Sequence, residues 1–294
     1  MKLLNFGSLN LDHVYQVAQI VEPGQTIDSF SVRCYPGGKG LNQTLAIARA
    51  GMAVSHAGMI GADGESLRQL LEADGVDCTC LRTVDVDTGS AFIQVDANGQ
   101  NSIVLNGGAN RANTEAFCDE VLAQYGQGDL ILLQNEINCI GYLIDQAYER
   151  GMLVALNPSP MNEAVTACDL SKVSLFIMNE DEGEQITGRT EPEDILAAMR
   201  QLYPQARVVL TLGSKGSVYQ DAEQSLTQPA FRVKAVDTTA AGDTFTGYLL
   251  AAMARGCSMA ECLELASKAA ALAVMKEGAA RSIPYLQDVL ESAL

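Results

Sequence analysis

Between Val236 and Phe245 the chain reads VDTTAAGDTF, a run of small residues ending in a glycine and a carboxylate just where a long helical pattern begins. From Phe245 the apolar residues of FTGYLLAAMARG recur at helical spacing, which puts Ala241, Gly242 and Asp243 in the first turn. Amides in that turn have no intrahelical acceptor and the helix dipole adds partial positive charge, so a phosphate suits it. Side chains no larger than Ala let an anion approach the backbone. The dipole favours a carboxylate at Asp243, making it a weak base. A weak base suffices for phosphoryl transfer, whose loose transition state needs mainly positioning and charge neutralisation. An Asp in a first turn also stabilises a helix with no further role, so both readings stand on this stretch alone.

A second glycine-rich turn opens a helix at Pro36-Gly37-Gly38-Lys39-Gly40-Leu41-Asn42-Gln43. It is not a Walker A loop, because Gly40 rather than Ser or Thr follows Lys39, and it does not fit GxGxxG. It reads either as Lys39 and helix amides set against a phosphate or sugar hydroxyls, with Asn42 reaching the same ligand, or as a glycine loop with a solvated lysine. Polar residues also close most of the apolar runs: Asn10 and Asp12 after KLLNFGSLNLD, then Glu136, Asn157, Asn179 and Gly213. Open α/β sheets bind ligands at the carboxyl ends of their strands, so the repetition marks one edge of a sheet.

The elements that must position these groups follow from periodicity. Continuous apolar runs separated by helical patterns, regular from residue 115 onward, predict a central, mostly parallel sheet with helices on both faces. Expected helices include Glu65 to Ala73, 140–150, 181–187, 193–203 and one opened by the capping box Ser258-Met-Ala-Glu261 and ended by Gly278. Two extended stretches, about 14–35 and 88–106, interrupt the alternation. The second carries a hairpin signal at Asp96-Ala-Asn-Gly99, and together they predict a small β-lid. No linker or repeat appears, so residues 1–294 read as a single domain carrying this lid.

Composition narrows the partners. With 36 acidic against 19 basic residues and a net charge of −17, the chain has no basic stripe for nucleic acid or an anionic membrane. The opening MKLLNFGSLN meets polar residues too early for a secretory signal, and no apolar run approaches the ~20 residues that span a bilayer, so the cytoplasm is the expected compartment. The eight cysteines lie among apolar neighbours without a paired CxxC and are expected as buried free thiols. His13 and His56, the only histidines, lie in no metal or triad spacing and are expected to be structural.

GSLNLD, PGGKGLNQ, NPSP, NEDE, LTLGSKG and DTTAAGDTFTG occur in this order along nearly the whole chain. In this the sequence resembles the ribokinase-like (PfkB) carbohydrate kinases. The resemblance implies an ATP-dependent kinase acting on the primary hydroxyl of a pentose, D-ribose foremost, with Asp243 as base and the amides of Ala241, Gly242 and Asp243 as an anion hole, assisted by Lys39. It implies sugar contacts from Asn10, Asp12, Gly38, Lys39, Asn42, Glu136 and Asp243. For the nucleotide it implies Asn179, Thr211, Gly213, Ser214, Gly216, Ala241, Gly242 and Ser267, the last standing where the family often has Asn or His. Asn179 and Glu182 would organise Mg²⁺ through water, and Asp237, Thr239, Ala273, Lys276, Gly278 and Ser282 a monovalent cation such as K⁺.

Other acceptors on the same scaffold are a 2-keto-3-deoxy sugar acid, a hexose or a nucleoside. An acid would need a cation in the pocket, for which Arg33 and Arg111 are the candidates. A non-catalytic sugar or nucleotide binder is the reading from another class, against which the retained Asp243 speaks. An apolar alternation left on an open sheet edge is a liability, so the lid is expected to pair with its copy in a homodimer.

Overall fold

A computed structural model describes the whole chain, residues 1–294. Its strands are β1 (Leu3–Phe6), β2 (Asn10–Val17), β3 (Ser29–Gly37), β4 (Ser55–Ile60), β5 (Leu81–Thr83), β6 (Gly89–Val95), β7 (Asn101–Asn106), β8 (Leu130–Gln134), β9 (Leu153–Asn157), β10 (Leu175–Asn179), β11 (Arg207–Thr211), β12 (Ser217–Gln220) and β13 (Ser225–Gln228). Its helices are α1 (Lys39–Arg49), α2 (Glu65–Ala73), α3 (Glu115–Leu122), α4 (Ile140–Glu149), α5 (Glu163–Thr166), α6 (Glu180–Thr187), α7 (Pro192–Leu202), α8 (Ala241–Ala254), α9 (Met259–Ala273) and α10 (Leu286–Glu291).

Nine strands form one sheet in the order β13-β12-β11-β10-β9-β8-β1-β4-β5, parallel except at the antiparallel pairs β11-β12 and β12-β13. Helical crossovers cover both faces, as continuous apolar strands such as LILLQ require. One core cluster lies under α1, α2, α8 and α9, where Leu41, Leu45, Tyr248 and Leu249 are buried; the other lies under α3, α4 and α7, with Phe117, Leu143 and Met199. From β1 the sheet grows toward β4 on one side and toward β8 on the other, so the topological switch point lies between β1 and β8.

The second sheet, β3-β2-β6-β7, is the expected lid, with different bounds. It begins at Asn10, not near 14, and β3 runs on to Gly37. Asn10 and Asp12 therefore do not end the first core strand. The chain leaves the main sheet after Phe6, and Gly7 to Leu9 carry it into the lid, where β2 pairs β3 antiparallel and β6 parallel. Phe30, Val32, Ile103, Val104 and Leu105 are exposed on the lid strands. A second difference concerns α9, which ends at Ala273 rather than at Gly278. The capping box at Ser258 and Glu261 forms as expected.

The anchor stretch takes its position from a helix crossing. A Cβ on Gly247 would stand 2.3 Å from Ala46 Cβ and 2.9 Å from Gln43 O, so α8 touches the backbone of α1 one turn beyond Asp243. A bare glycine inside a helix costs about 1 kcal/mol against alanine, which makes Gly247→Ala stabilising on an exposed helix. Here the methyl meets backbone and a buried Cβ, and overpacking of about 1–3 kcal/mol outweighs that gain. Gly247→Ala should therefore lower stability, read as an earlier midpoint in urea at unchanged slope.

Candidate active site

Helix α8 starts abruptly because Ala240 adopts a left-handed conformation, φ 59°, and no side chain caps the helix. Such a conformation costs an L-residue about 1–2 kcal/mol. Its effect is to leave the first-turn amides open: Gly242 and Asp243 N–H have no protein acceptor, and Ala241 N–H makes only a 3.3 Å bond to Thr238 O. A Cβ on Gly242 would meet nothing within 4 Å, so its α-carbon faces open space. These residues form one wall of a cleft of about 230 Å³. Facing them are Lys39, Asn157, Ser159, Asn179, Glu182 and Thr211, drawn from the start of α1, the carboxyl ends of β9, β10 and β11, the loop after β9 and the first turn of α6.

Asp243 lies in this cleft and is only 7% exposed. A buried carboxylate is tolerable only when hydrogen-bonded. Asn42 Nδ2 donates to Oδ2 at 3.0 Å and Gln43 Nε2 donates to Oδ1 at 2.9 Å, both from the helix that Gly247 brings close. Burial pulls on the Lys39 ammonium, but Asp243, Glu136 and Glu182 around it outweigh that and hold it above its ordinary range. Lys39 is thus a fixed cation at the junction of the two glycine-rich turns.

The neighbouring half of the site sits at the switch point. Glu136 Oε2 accepts from Ser8 Oγ and, at 2.9 Å, from Lys39 N–H, while Gly40 N–H donates to Ser8 Oγ at 3.1 Å. Gly40 has no room for a side chain, since a Cβ would be 2.3 Å from Ser8 N. From the turn after β7, Asn110 Nδ2 donates to Asn10 Oδ1 on the lid at 2.7 Å. A Cβ on Gly37 would lie 1.9 Å from Asp12 Oδ2, so the first glycine of PGGKG makes room for that carboxylate. Asp12 Oδ1 is buried with no protein partner. Burial, with Glu136 as a like charge, pushes its carboxyl up to about 7.

Asn179 and Glu182 cap α6 reciprocally: Glu182 N–H donates to Asn179 Oδ1 at 2.8 Å and Asn179 N–H to Glu182 Oε2 at 3.0 Å. Glu182 Oε1 makes no protein hydrogen bond, which leaves an oxygen donor beside the cleft. No three His, Cys, Asp or Glu side chains are grouped to cage a metal. One carboxylate oxygen with a neighbouring carboxamide fits hydrated Mg²⁺, which keeps several waters and needs few protein ligands.

Thr211 lines the cleft, and Gly213, Ser214 and Gly216 follow it in a single 3-10 turn and its exit. Ser267 is buried on α9. Gly213, Ser214, Gly216 and Ser267 are not part of the cleft wall itself, nor are Asn10, Asp12, Gly38, Asn42 and Glu136. Asn42 joins it through Asp243, and Glu136 through Lys39. The segments around Asp237 and Gly278 are zipped together: Asp237 accepts from Thr239 N–H and Oγ1 and, at 2.9 Å, from Gly278 N–H, while Val274 O accepts from Val236 and Asp237 N–H. Burial works against the Asp237 carboxylate, but those bonds hold it below its usual range. Arg33 is on the lid, 3.4 Å from Tyr35 Oη, and Arg111 donates to Ile137 O, so neither lines the cleft.

Reading the sequence missed Gln43, Asn110 and Gln134, all nearly or fully buried. The available signals were a carboxamide interrupting the apolar run LILLQ and a second amide beside Asn42.

A profile of the pfkB family carbohydrate kinases matches residues 1–286. The ribokinase of Haemophilus influenzae is 36% identical over 294 residues, covering 97% of this chain and 96% of its own. The structure of Arabidopsis thaliana ribokinase complexed with ribose and ATP superposes with a TM-score of 0.88 at 31% identity, covering 99% and 97% of the two chains. Ribokinase from Cryptococcus neoformans var. grubii in complex with ADP gives 0.84 at 33% identity over 99% of each.

The Asp12 environment is testable by itself. In an NMR titration its side-chain carboxyl should titrate near 7, and Glu136→Gln should lower that value without restoring the ordinary one, because burial is the larger cause.

Proposed function

The chain belongs to the pfkB family of carbohydrate kinases and is an ATP-dependent sugar kinase, and we propose that it transfers the γ-phosphoryl group of ATP to the primary hydroxyl of D-ribose, giving D-ribose 5-phosphate. The observation that carries the chemistry is Asp243, a carboxylate set in one cleft with the free amides of α8 and with Lys39. Ribose rests on full-length relatives of that activity and on a rim of acceptors suited to a polyol.

In this reading Asp243 takes the proton of the C5 hydroxyl as its oxygen attacks the γ-phosphorus, and the β,γ-bridging P–O bond breaks with its electron pair leaving on ADP. The amides of Ala241, Gly242 and Asp243 accept the charge that develops on the transferring group, with Lys39 beside them. Asn10, Asp12, Gly38, Lys39, Asn42 and Glu136 hold the sugar hydroxyls. Thr211, Gly213, Ser214, Gly216 and Ser267 hold the nucleotide. Asn179 and Glu182 would hold hydrated Mg²⁺, which neutralises phosphate charge when bound. Carbonyls of the zipped loops, from Asp237, Thr239, Ala273, Lys276, Gly278 and Ser282, would hold a monovalent cation such as K⁺; the three bonds already accepted by Asp237 suit it to fixing those loops.

Residues 1–294 act as one kinase domain with its lid. Its apolar strands, exposed at Val104 and Leu105, pair with those of a second copy. All eight cysteines are free thiols, although Cys34 and Cys257 are exposed and not buried as expected, and free thiols suit the reducing cytoplasm.

ADP release over a panel of ribose, hexoses, a 2-keto-3-deoxy acid and nucleosides, with and without K⁺, tests the assignment. Ribose should give the highest kcat/KM, and Asp243→Asn should lower kcat by roughly 10²–10⁴-fold while ATP still binds. Undiminished turnover in that variant would remove the base, and no turnover with any acceptor would favour a binding protein. Light scattering at micromolar concentration should give a dimer that Val104→Glu dissociates; a wild-type monomer refutes the lid pairing.

A further inference from the structure

Asp243 is held by more than the residues that line its cleft. Gln43 Nε2, besides donating to Asp243 Oδ1 at 2.9 Å, lies 3.2 Å from Asn157 Oδ1. Gln43 Oε1 accepts from Gln134 Nε2 at 2.7 Å, and that same nitrogen donates to Asn5 Oδ1 at 2.9 Å. Asn5 Nδ2 donates in turn to Thr44 Oγ1 at 2.7 Å and to Gly40 O at 2.8 Å. Thr44 Oγ1 ends the chain 2.7 Å from His56 Nδ1. Gln43, Gln134, Asn5, Thr44 and His56 are all 0% exposed.

The direction of every bond in this chain follows from one end. A carboxylate only accepts, so Gln43 must turn its NH₂ toward Asp243 and its oxygen inward. That oxygen needs a donor, which fixes the amide of Gln134; both its hydrogens are used, and its Oε1 is left buried without a partner. Asn5 is then fixed in the same sense, and the Thr44 hydrogen is free for His56, which burial keeps neutral by pushing it down to about 4. This polarity leaves two atoms of the network, Gln134 Oε1 and His56 Nε2, buried without a hydrogen-bond partner.

We propose that Gln43 is a positioning residue for phosphoryl transfer: oriented from behind by Gln134, it clamps Oδ1 of Asp243 and leaves Oδ2 as the proton-accepting oxygen. Asn42 donates to Oδ2 at 3.0 Å, and a carboxylate oxygen keeps a second acceptor site, which is the one that takes the proton. The inference rests on the sugar-kinase reading above. Gln43 touches neither substrate, so its loss acts on the chemical step and not on binding.

Isosteric replacement tests this, with kcat and both KM values measured for wild type, Gln43→Met, Gln134→Met and the double variant, and thermal stability recorded for each. A hydrogen bond to a charged group is worth about 1.5–3 kcal/mol, so Gln43→Met should lower kcat roughly 10- to 100-fold with both KM values unchanged. Gln134→Met should lower kcat in the same direction, and the double variant no further than Gln43→Met alone, because linked residues do not add. A merely structural role predicts lowered stability with kcat retained in the folded enzyme, and a binding role predicts raised KM; either result overturns the proposal. Should the variants not fold, the Gln43 side-chain amide resonance decides in folded protein. It should move in Asp243→Asn, and an unmoved resonance refutes the clamp. Absence of sugar kinase activity in wild type would instead overturn the functional reading.

Discussion

The contact between α1 and α8 at Gly247 is the constraint from which the site's geometry follows. Only where the two helix backbones nearly touch do Asn42 and Gln43 reach both oxygens of Asp243, and only with those donors is a carboxylate buried to 7% exposure tolerable. The same helix α1 is pinned at its start, where Gly40 lies against Gly7 and Ser8 at the end of β1. Its first amide reaches Glu136, and Lys39 lies among three carboxylates. Two glycines with no space for a methyl thus bring Asp243, Lys39 and the switch point of the sheet together.

The electrostatic arrangement explains how an acidic protein receives a polyphosphate. The whole chain carries −17, yet the anion-facing wall consists of unpaired amides and one lysine, supported by the helix dipole. Lys39 faces Asp243, Glu136 and Glu182, so the cleft's own side chains do not neutralise several phosphate charges. Beside the cleft, Glu182 Oε1 makes no protein hydrogen bond, and the proposed cations would offset the remaining phosphate charge.

The lid contributes to the site directly. Asn10 and Asp12 are on β2, and Gly37, which accommodates the Asp12 carboxylate, ends β3 immediately before Gly38 and Lys39 open α1. A displacement of the lid therefore moves two proposed sugar contacts and the entry to α1 together. Exposed apolar residues and two proposed sugar contacts thus belong to one small sheet.

Much of this was legible in the linear chain. Apolar runs separated by helical patterns dictated a covered parallel sheet, because unbroken apolar strands must be buried on both faces, and polar residues at their ends marked the ligand edge. The small residues before Asp243 likewise dictated open amides at a helix start, since that depends only on local backbone. The tertiary structure decided what periodicity does not encode. Period-two patterning does not say which sheet a strand joins, so Asn10 and Asp12 moved from the core sheet to the lid. Nor does a buried carboxamide announce its partner: Gln43, Gln134 and Asn5 read as isolated polar residues until packing, across 200 residues of chain in the case of Gln43 and Asp243, joins them into one directed set of hydrogen bonds.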